Sequence, residues 1–305
     1  MNVLSLCDGM SCGQIVLKEL GIKVDKYYAS EIDKNAIKVT MDNFPDTVQL
    51  GDVKGITKEV LDELPKIDLV LFGSPCRSLS VCSQTKRNGV DYNNGLNGIS
   101  GLFVDCVKIL DYIKAHNNPD VYFLSENVNV HKKNEKDLQK MTELIGVEPV
   151  LIDSSVFSAQ GRLRNYWTNI PLSPLPEESR LVVKDILEDN VDEKYYYKED
   201  FDFYGVDKRQ AADVHIKGFD IIKRAVSPYF KSYTLTACRG GNRQMKVYDE
   251  KTNRVRKFTP LEYRRLQTIP DWYKMQVADS HIYNMCGDGW SIKTICYLLS
   301  YLCTV

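Results

Sequence analysis

No two cysteines in these 305 residues stand in a C-x-x-C pair. The nine cysteines are scattered singly and their count is odd. That argues against a disulfide framework and a zinc cluster, and for a reducing compartment. No run of about 18 apolar residues occurs, so no transmembrane helix is expected. The first residues read as a strand rather than a basic segment followed by an apolar one, so no signal peptide is expected either. Internal repeats and low-complexity tracts are missing. So is the G-x-G-x-x-G fingerprint, which removes an NAD-dependent oxidoreductase from consideration. What remains is 43% hydrophobic and 27% charged, the balance of an ordinary globular chain.

The net charge of −1 hides an asymmetry. Between Gly205 and Phe258 stand 13 Lys and Arg against 5 Asp and Glu, a local +8, which leaves −9 for the remainder. A solvated, loop-rich face is the plain explanation. A phosphate-tracking surface is the functional one.

Over the first 170 residues, apolar β-type runs alternate with helical patterns, as in a parallel sheet with crossover helices. Strands are expected at Val3–Leu6, Tyr27–Ser30, Val48–Leu50, Asp68–Ser74 and Val121–Ser125, with further strands near 147–152 and 166–170. Helices are expected between them. Pro171, Pro174 and Pro176 then mark a boundary. From there to about Val255 the pattern is irregular, aromatic and basic, and helical signals return at Pro260–Leu266 and Ser291–Leu302. The expected domains are therefore 1–171, 172–255 and a C-terminal part, 256–305, that returns to the first.

Pro75-Cys76 follows the buried strand Asp68–Ser74, at the end where open α/β sheets bind ligands. By itself such a cysteine is more often a small buried hydrophobe than a nucleophile. A neighbouring strand ends in Glu126-Asn127-Val128 and brings a carboxyl group to the same crevice. A thiol and a carboxyl together suit attack on an electron-poor ring whose nitrogen must be protonated, such as a pyrimidine. The turn after the first strand, Asp8-Gly9-Met10-Ser11-Cys12-Gly13, lets a ligand approach backbone amides. Glu31, at the tip of the second strand, suits a ribose diol, and Asp52, at the third, suits an adenine amino group. Helix capping is the alternative for both acids. An adenosyl ligand without pyrophosphate fits this set. Arg162 and Arg164 alternate on an extended segment, hence share a face, and can clamp a carboxylate, fix Glu126 or hold a phosphate.

This ordered set resembles the DNA (cytosine-5) methyltransferase family. Asp8-Gly9, Glu31, Gly51-Asp52, Ser74-Pro75-Cys76, Glu126-Asn127-Val128, Gln160-x-Arg162-x-Arg164, Arg256–Pro270 and Gly287–Trp290 match its motifs in family order. Only residues from about Leu172 to Val255 stand outside the resemblance, where the family carries its target-recognition domain. Val3–Leu6, Leu17–Asp25, Tyr28–Glu31 and the Gly-x-x-Trp of Gly287–Trp290 look like the animal de novo branch. Thr234–Ala237 and the Arg256–Pro270 stretch look like bacterial and phage enzymes. The sequence departs from the family at Cys7, where an aromatic residue is usual, at Arg77, where Gln or Asn is commoner, and at Asp288, which is often neutral or basic.

The resemblance implies a class I S-adenosylmethionine-dependent methyltransferase fold, a Rossmann-like doubly wound α/β sheet with a smaller inserted recognition domain. It implies S-adenosylmethionine as cofactor, no metal, and double-stranded DNA as partner, recognised at a specific sequence as in restriction-modification. The expected locale is bacterial or phage-infected cytoplasm, or a eukaryotic nucleus. Cys76, Glu126, Arg162 and Arg164 are the catalytic residues so implied. Cys7, Asp8, Gly9, Met10, Glu31, Ile32, Asp52, Val53, Ser74, Pro75, Asp288 and Trp290 would line the cofactor. Arg239, Asn242 and Arg243 are the candidate DNA readers, since Arg suits guanine, Asn suits adenine, and Gly240-Gly241 allow close approach. The segment Arg77–Gly101, rich in Asn and Gly, would close over the site. Two rivals are weighed. A tRNA cytosine-5 methyltransferase would carry a Cys-Phe-Thr segment, which is missing. A catalytically silent DNA-binding paralogue is opposed by the intact Cys76, Glu126 and Arg164.

Overall fold

The computed structural model of the chain describes residues 1–75, 101–129 and 135–304. The chain divides into two compact units. The first comprises Met1–Ile152, Leu163–Ser173 and Cys296–Val305, and the second Asp153–Arg162 and Pro174–Ile295.

The first unit is built on β1 (Asn2–Leu6), β2 (Lys26–Ser30), β3 (Val48–Gln49), β4 (Leu69–Phe72), β5 (Tyr122–Val128), β6 (Val150–Asp153) and β7 (Leu163–Thr168). They form a seven-stranded sheet in the order β3-β2-β1-β4-β5-β7-β6. The β1–β5 portion is parallel, and β7 joins β5 antiparallel. The order reverses beside β1, the place where an open sheet leaves a crevice at its carboxyl edge. The connecting helices include α1 (Cys12–Glu19), α2 (Lys34–Asn43), α3 (Lys58–Asp62), α4 (Leu102–His116) and α5 (Glu135–Ile145). Helix α2 starts where the Asp33 side chain accepts the N–H groups of Asn35 and Ala36.

Helix α4 buries Phe103, Cys106, Val107, Ile109, Leu110 and Ile113 against Leu4, Leu6, Val70, Phe72 and Phe123. Each fully buried large apolar side chain there contributes roughly 1.5–3 kcal/mol. The rings of Phe72, Phe103 and Trp167 form a chain with centroids 5.9 and 5.7 Å apart. At the C-terminus, the Tyr301 ring lies edge-on to Tyr122 and the Cys303 thiol donates to the Leu20 carbonyl.

The second unit contains a five-stranded sheet, within the stretch up to about Val255 whose sequence pattern is irregular. Its strands are β8 (Phe201–Phe203), β9 (Gln210–Val214), β10 (Arg224–Val226), β11 (Lys246–Asp249) and β12 (Arg254–Lys257), in the order β12-β11-β10-β9-β8. Ala211, Ala212, Val214, Ala225, Tyr248 and Val255 form its small core. The helices are α6 (Asp220–Lys223), α7 (Pro260–Leu266), α8 (Asp279–Asp288) and α9 (Ile292–Leu299), the last running on into the first unit. Helix α7 opens with a capping box, Thr259 and Glu262 each accepting the other's backbone N–H, with Pro260 in the first turn. Among the described residues, no helix is long and apolar enough to cross a membrane.

Candidate active site

The turn after β1 is tightly wound. Cys7, Gly9 and Ser11 all have positive φ, at 54°, 60° and 58°. Left-handed backbone in two non-glycine residues costs of order 1–3 kcal/mol each and concentrates at functional sites. The turn is fixed by Glu31, whose carboxylate accepts the N–H of Gly9 at 2.7 Å and of Ile32 and Asp33 at 2.8 Å each. Asp8 accepts from the Tyr27 hydroxyl at 2.8 Å, and Gly13 leaves the room, since a Cβ there would come 2.5 Å from that hydroxyl. Burial, reinforced by the charge of Glu31, pushes the Asp8 carboxyl up to about 6 against hydrogen bonds from Ser5, Ser11 and Tyr27. Its Oδ2 is buried without a partner among the described residues. Gly9 presents open space where a Cβ would stand.

The neighbouring expected contacts differ in exposure. Met10 and Val53 are buried, whereas Ile32 projects with 70% of its surface exposed. Asp52 is exposed and its carboxylate accepts the Lys54 N–H, the capping arrangement weighed for it. Cys7 is half-buried against the α4 side of the core, and its hydrogen bond to Cys106, with burial adding, holds that thiol well above its ordinary range.

Strand β4 delivers Ser74, buried, and Pro75, half-buried. Cys76 and the segment Arg77–Ser100 lie outside the described residues. Beside β4, strand β5 continues beyond the expected end at Ser125, so Glu126 lies within the strand. The extension follows from β7, which pairs Tyr166 with Glu126 and Arg164 with Val128. This pairing brings the Arg164 Nε to 3.1 Å from the Glu126 Oε1, with both side chains nearly buried. The N–H does not point along the contact, so the interaction is an ion pair rather than a directed hydrogen bond. Next to it, the Asn127 amide donates to the Ser74 Oγ at 3.2 Å and to the Ser74 carbonyl at 3.4 Å. Asn127 thus ties β5 to the backbone two residues before Cys76.

Arg162 belongs to the second unit, and its guanidinium is turned to backbone. It donates to the carbonyls of Leu235, Gly287 and Gly289 at 3.1, 3.0 and 2.9 Å. Gly287 needs to be glycine, because a Cβ would collide with the backbone of Thr236 and Ala237. Asp288 ends α8, exposed, and accepts from the Asn284 amide, while Trp290 is half-buried. Arg239, Asn242 and Arg243 are exposed, flanking Gly240 and Gly241, both at positive φ. Much of the local basic excess serves the unit internally. Arg256 pairs with Glu262, Arg254 with Glu193 and Lys251 with Asp189, while Lys231 donates to three carbonyls.

Residues 1–302 match the family described as C-5 cytosine-specific DNA methylase. The chain belongs to this family. It is 28% identical to the type II methyltransferase M.Bsp6I of Bacillus sp. (strain RFL6), with 97% of this chain and 96% of that protein covered. It is 26% identical to the orphan methyltransferase M.SPBetaI of Bacillus phage SPbeta, over 84% and 75% of the two chains. Among solved structures it resembles a prophage-encoded putative DNA modification methyltransferase from E. coli, with TM-score 0.69, 19% identity, and 99% and 98% coverage. A mutant DNMT2 of Spodoptera frugiperda is similar, with TM-score 0.68, 20% identity and 99% coverage of each chain. The fold is that of a class I methyltransferase, as the resemblance implied, and the chain is a DNA cytosine-5 methyltransferase. Within this methylase, sequence reading passed over Asn127 and Tyr27. Asn127 was quoted only as part of its motif, and a tyrosine inside a strand carries no signal for a carboxylate 19 residues away.

Proposed function

We propose that this methylase transfers a methyl group from S-adenosylmethionine to C5 of a cytosine flipped out of a specific duplex sequence, through a covalent adduct on Cys76. The observation that carries the reading is the buried Arg164–Glu126 pair beside the strand that leads into Ser74-Pro75-Cys76. A cytosine must leave the base stack before its ring carbons can be reached. The Cys76 thiolate adds to C6 while the Glu126 carboxyl hydrogen-bonds N3 and draws electron density from the ring. Arg164 orients Glu126. Asn127 keeps Ser74, and with it the approach to Cys76, in register with β5. C5, made nucleophilic by the addition of Cys76, takes the methyl group. Loss of the C5 proton to solvent then expels the Cys76 thiolate from C6, so that two easier steps replace one hard substitution.

The residues around the β1 turn fit an adenosyl group. Asp8 has an unpartnered buried oxygen, Gly9 leaves space, and Ile32 offers an exposed apolar surface. Glu31 keeps acceptor capacity after its three N–H contacts, because a carboxylate offers about four lone-pair sites. When bound, S-adenosylmethionine supplies the methyl group. Glu31 is assigned to the ribose hydroxyls and Asp52 to the adenine edge.

The first unit is assigned to catalysis and cofactor binding, and the region 172–255 to target recognition. Bisulfite sequencing of a plasmid from cells expressing the chain tests the reading. Protected cytosines within one short motif are expected, and their loss in Cys76→Ser. Unmethylated plasmid from wild-type cells would reject it.

A further inference from the structure

The five-stranded unit carries an apolar tip that its core does not explain. Phe219 is 73% exposed, the most exposed large apolar side chain among the described residues, and Ile221, two residues on, is 62% exposed. They stand at the start of α6, and the chain is built to present them. Gly218 has φ 138°, a conformation that residues with a side chain rarely adopt, so glycine suits the outward turn of the backbone. Water makes no such demand on two exposed large apolar residues so close in the chain. An exposed apolar cluster of this kind marks a binding surface.

A buried lysine joins this tip to the Arg239–Arg243 loop. Lys246 is fully buried, and its ammonium donates to the carbonyls of Ile222 at 2.6 Å, Asn242 at 2.8 Å and Gln244 at 3.0 Å. One carbonyl belongs to α6, one to the loop and one to Gln244 just after it, so a single ammonium fixes their spacing. The ring of Tyr197 lies 5.3 Å from the ammonium. Burial, with the charge of Lys257 adding and Cys238 opposing, pushes Lys246 down to about 8. A group so unfavourable to bury stands here at the junction of two exposed segments. Basic side chains stand on both segments, Lys217 and the half-buried Arg224 on either side of α6 and the exposed Arg239 and Arg243 on the loop. Asp220 is paired with Lys223 at 3.1 Å. That charge favours a polyanion as the occupant.

We infer that Phe219 and Ile221 form an apolar wedge that enters the DNA duplex next to the Arg239–Arg243 loop, the two segments being set as one reading head by Lys246. The inference rests on the proposed DNA methyl transfer and deepens it. Apolar side chains pushed between base steps unstack them, and flanking arginines and lysines hold the phosphates. The wedge supplies contact area on bases, the loop supplies hydrogen bonds to their edges, and Lys246 is a positioning residue that touches neither.

The test compares wild type, Phe219→Ala, Phe219→Trp and Lys246→Met, with a fluorescein-labelled duplex carrying the methylated motif, and a second duplex with the target cytosine mispaired. Because Phe219 is exposed, its variants fold, and S-adenosylmethionine affinity serves as the control. Phe219→Ala is expected to weaken duplex binding and methyl transfer roughly 5- to 100-fold, the range for losing one base-stacking aromatic, with cofactor affinity unchanged. Phe219→Trp restores both. The deficit shrinks on the mispaired duplex, because a mispaired base costs less to unstack. Lys246→Met is expected to raise KM for DNA and to loosen the methylated motif while leaving KM for the cofactor in place. Wild-type transfer together with an unaltered Phe219→Ala enzyme would overturn the wedge and leave the methyltransferase reading standing. A wild type that neither binds nor methylates DNA would remove both.

Discussion

Arg164 and Glu126 meet at 3.1 Å because β7 runs antiparallel to β5, with Arg164 opposite Val128 and Tyr166 opposite Glu126. One register position in either direction would turn Arg164 to the other face of the sheet. The ion pair is therefore a product of strand register rather than of sequence proximity. It lies one strand away from the segment that leads to Cys76.

From this pairing we predict that Arg164→Ala lowers kcat for methyl transfer by about 10²–10⁴, the usual span for a displaced acid–base group. Affinity for S-adenosylmethionine should be unchanged. Single-turnover methylation and cofactor titration separate the two effects. Equal losses in both would indicate general damage instead.

Gly287 sits against the backbone of Thr236 and Ala237, and its carbonyl accepts from Arg162. Gly287→Ala should destabilise the protein by about 1–3 kcal/mol, because backbone rather than a flexible side chain must move. Urea denaturation measures this directly. A variant as stable as wild type would mean that the Thr236–Ala237 segment yields freely.

Glu262 is fully buried and accepts from both arms of Arg256, at 2.7 and 2.8 Å, and from the N–H groups of Glu188 and Thr259. Removing one partner of such a pair strands the other charge, at about 3–5 kcal/mol. Glu262→Ala should therefore unfold at much lower denaturant than wild type, whereas Arg254→Ala, which breaks an exposed pair with Glu193, should cost at most about 1 kcal/mol. Similar midpoints for the two variants would contradict this ranking.

Asp8 gives a pH signature. Its folded value, about 6, lies above the ordinary 3.8. An acid raised on folding leaves stability intact below about pH 4 and loses it as pH rises through 6, since the folded state must then bury a charge. Asp8→Asn removes that titration. The variant's stability relative to wild type should improve by roughly 2–3 kcal/mol between pH 4 and pH 7.5. A difference that stays constant across those pH values would show that the carboxyl is not so perturbed.

The first unit was legible because its signals are local. β-type runs of four or five residues before Asp8, Glu31 and Pro75 give both the strands and the ends at which the candidate residues stand. The extension of β5 through Glu126 was not legible, because it depends on pairing with β7, about 40 residues away. Nor was the five-stranded sheet. Its strands are three to five residues long, and β12 reads Arg-Val-Arg-Lys, with too little alternation to stand out. Arg162 and Arg164 show the limit of spacing arguments. Alternation puts them on one face of an extended segment, yet one guanidinium turns to the carbonyls of Leu235, Gly287 and Gly289 and the other to Glu126.

The central claim is that Cys76 attacks C6 of a cytosine in DNA. The most direct measurement is mass spectrometry of the wild-type enzyme incubated with S-adenosylmethionine and a duplex carrying 5-fluorocytosine at the methylated position. The fluorine cannot leave as the C5 proton does, so the intermediate is trapped. The account predicts a covalent adduct on the peptide bearing Cys76 and none in Cys76→Ser. An adduct on another residue, or methyl transfer by Cys76→Ser, would contradict it.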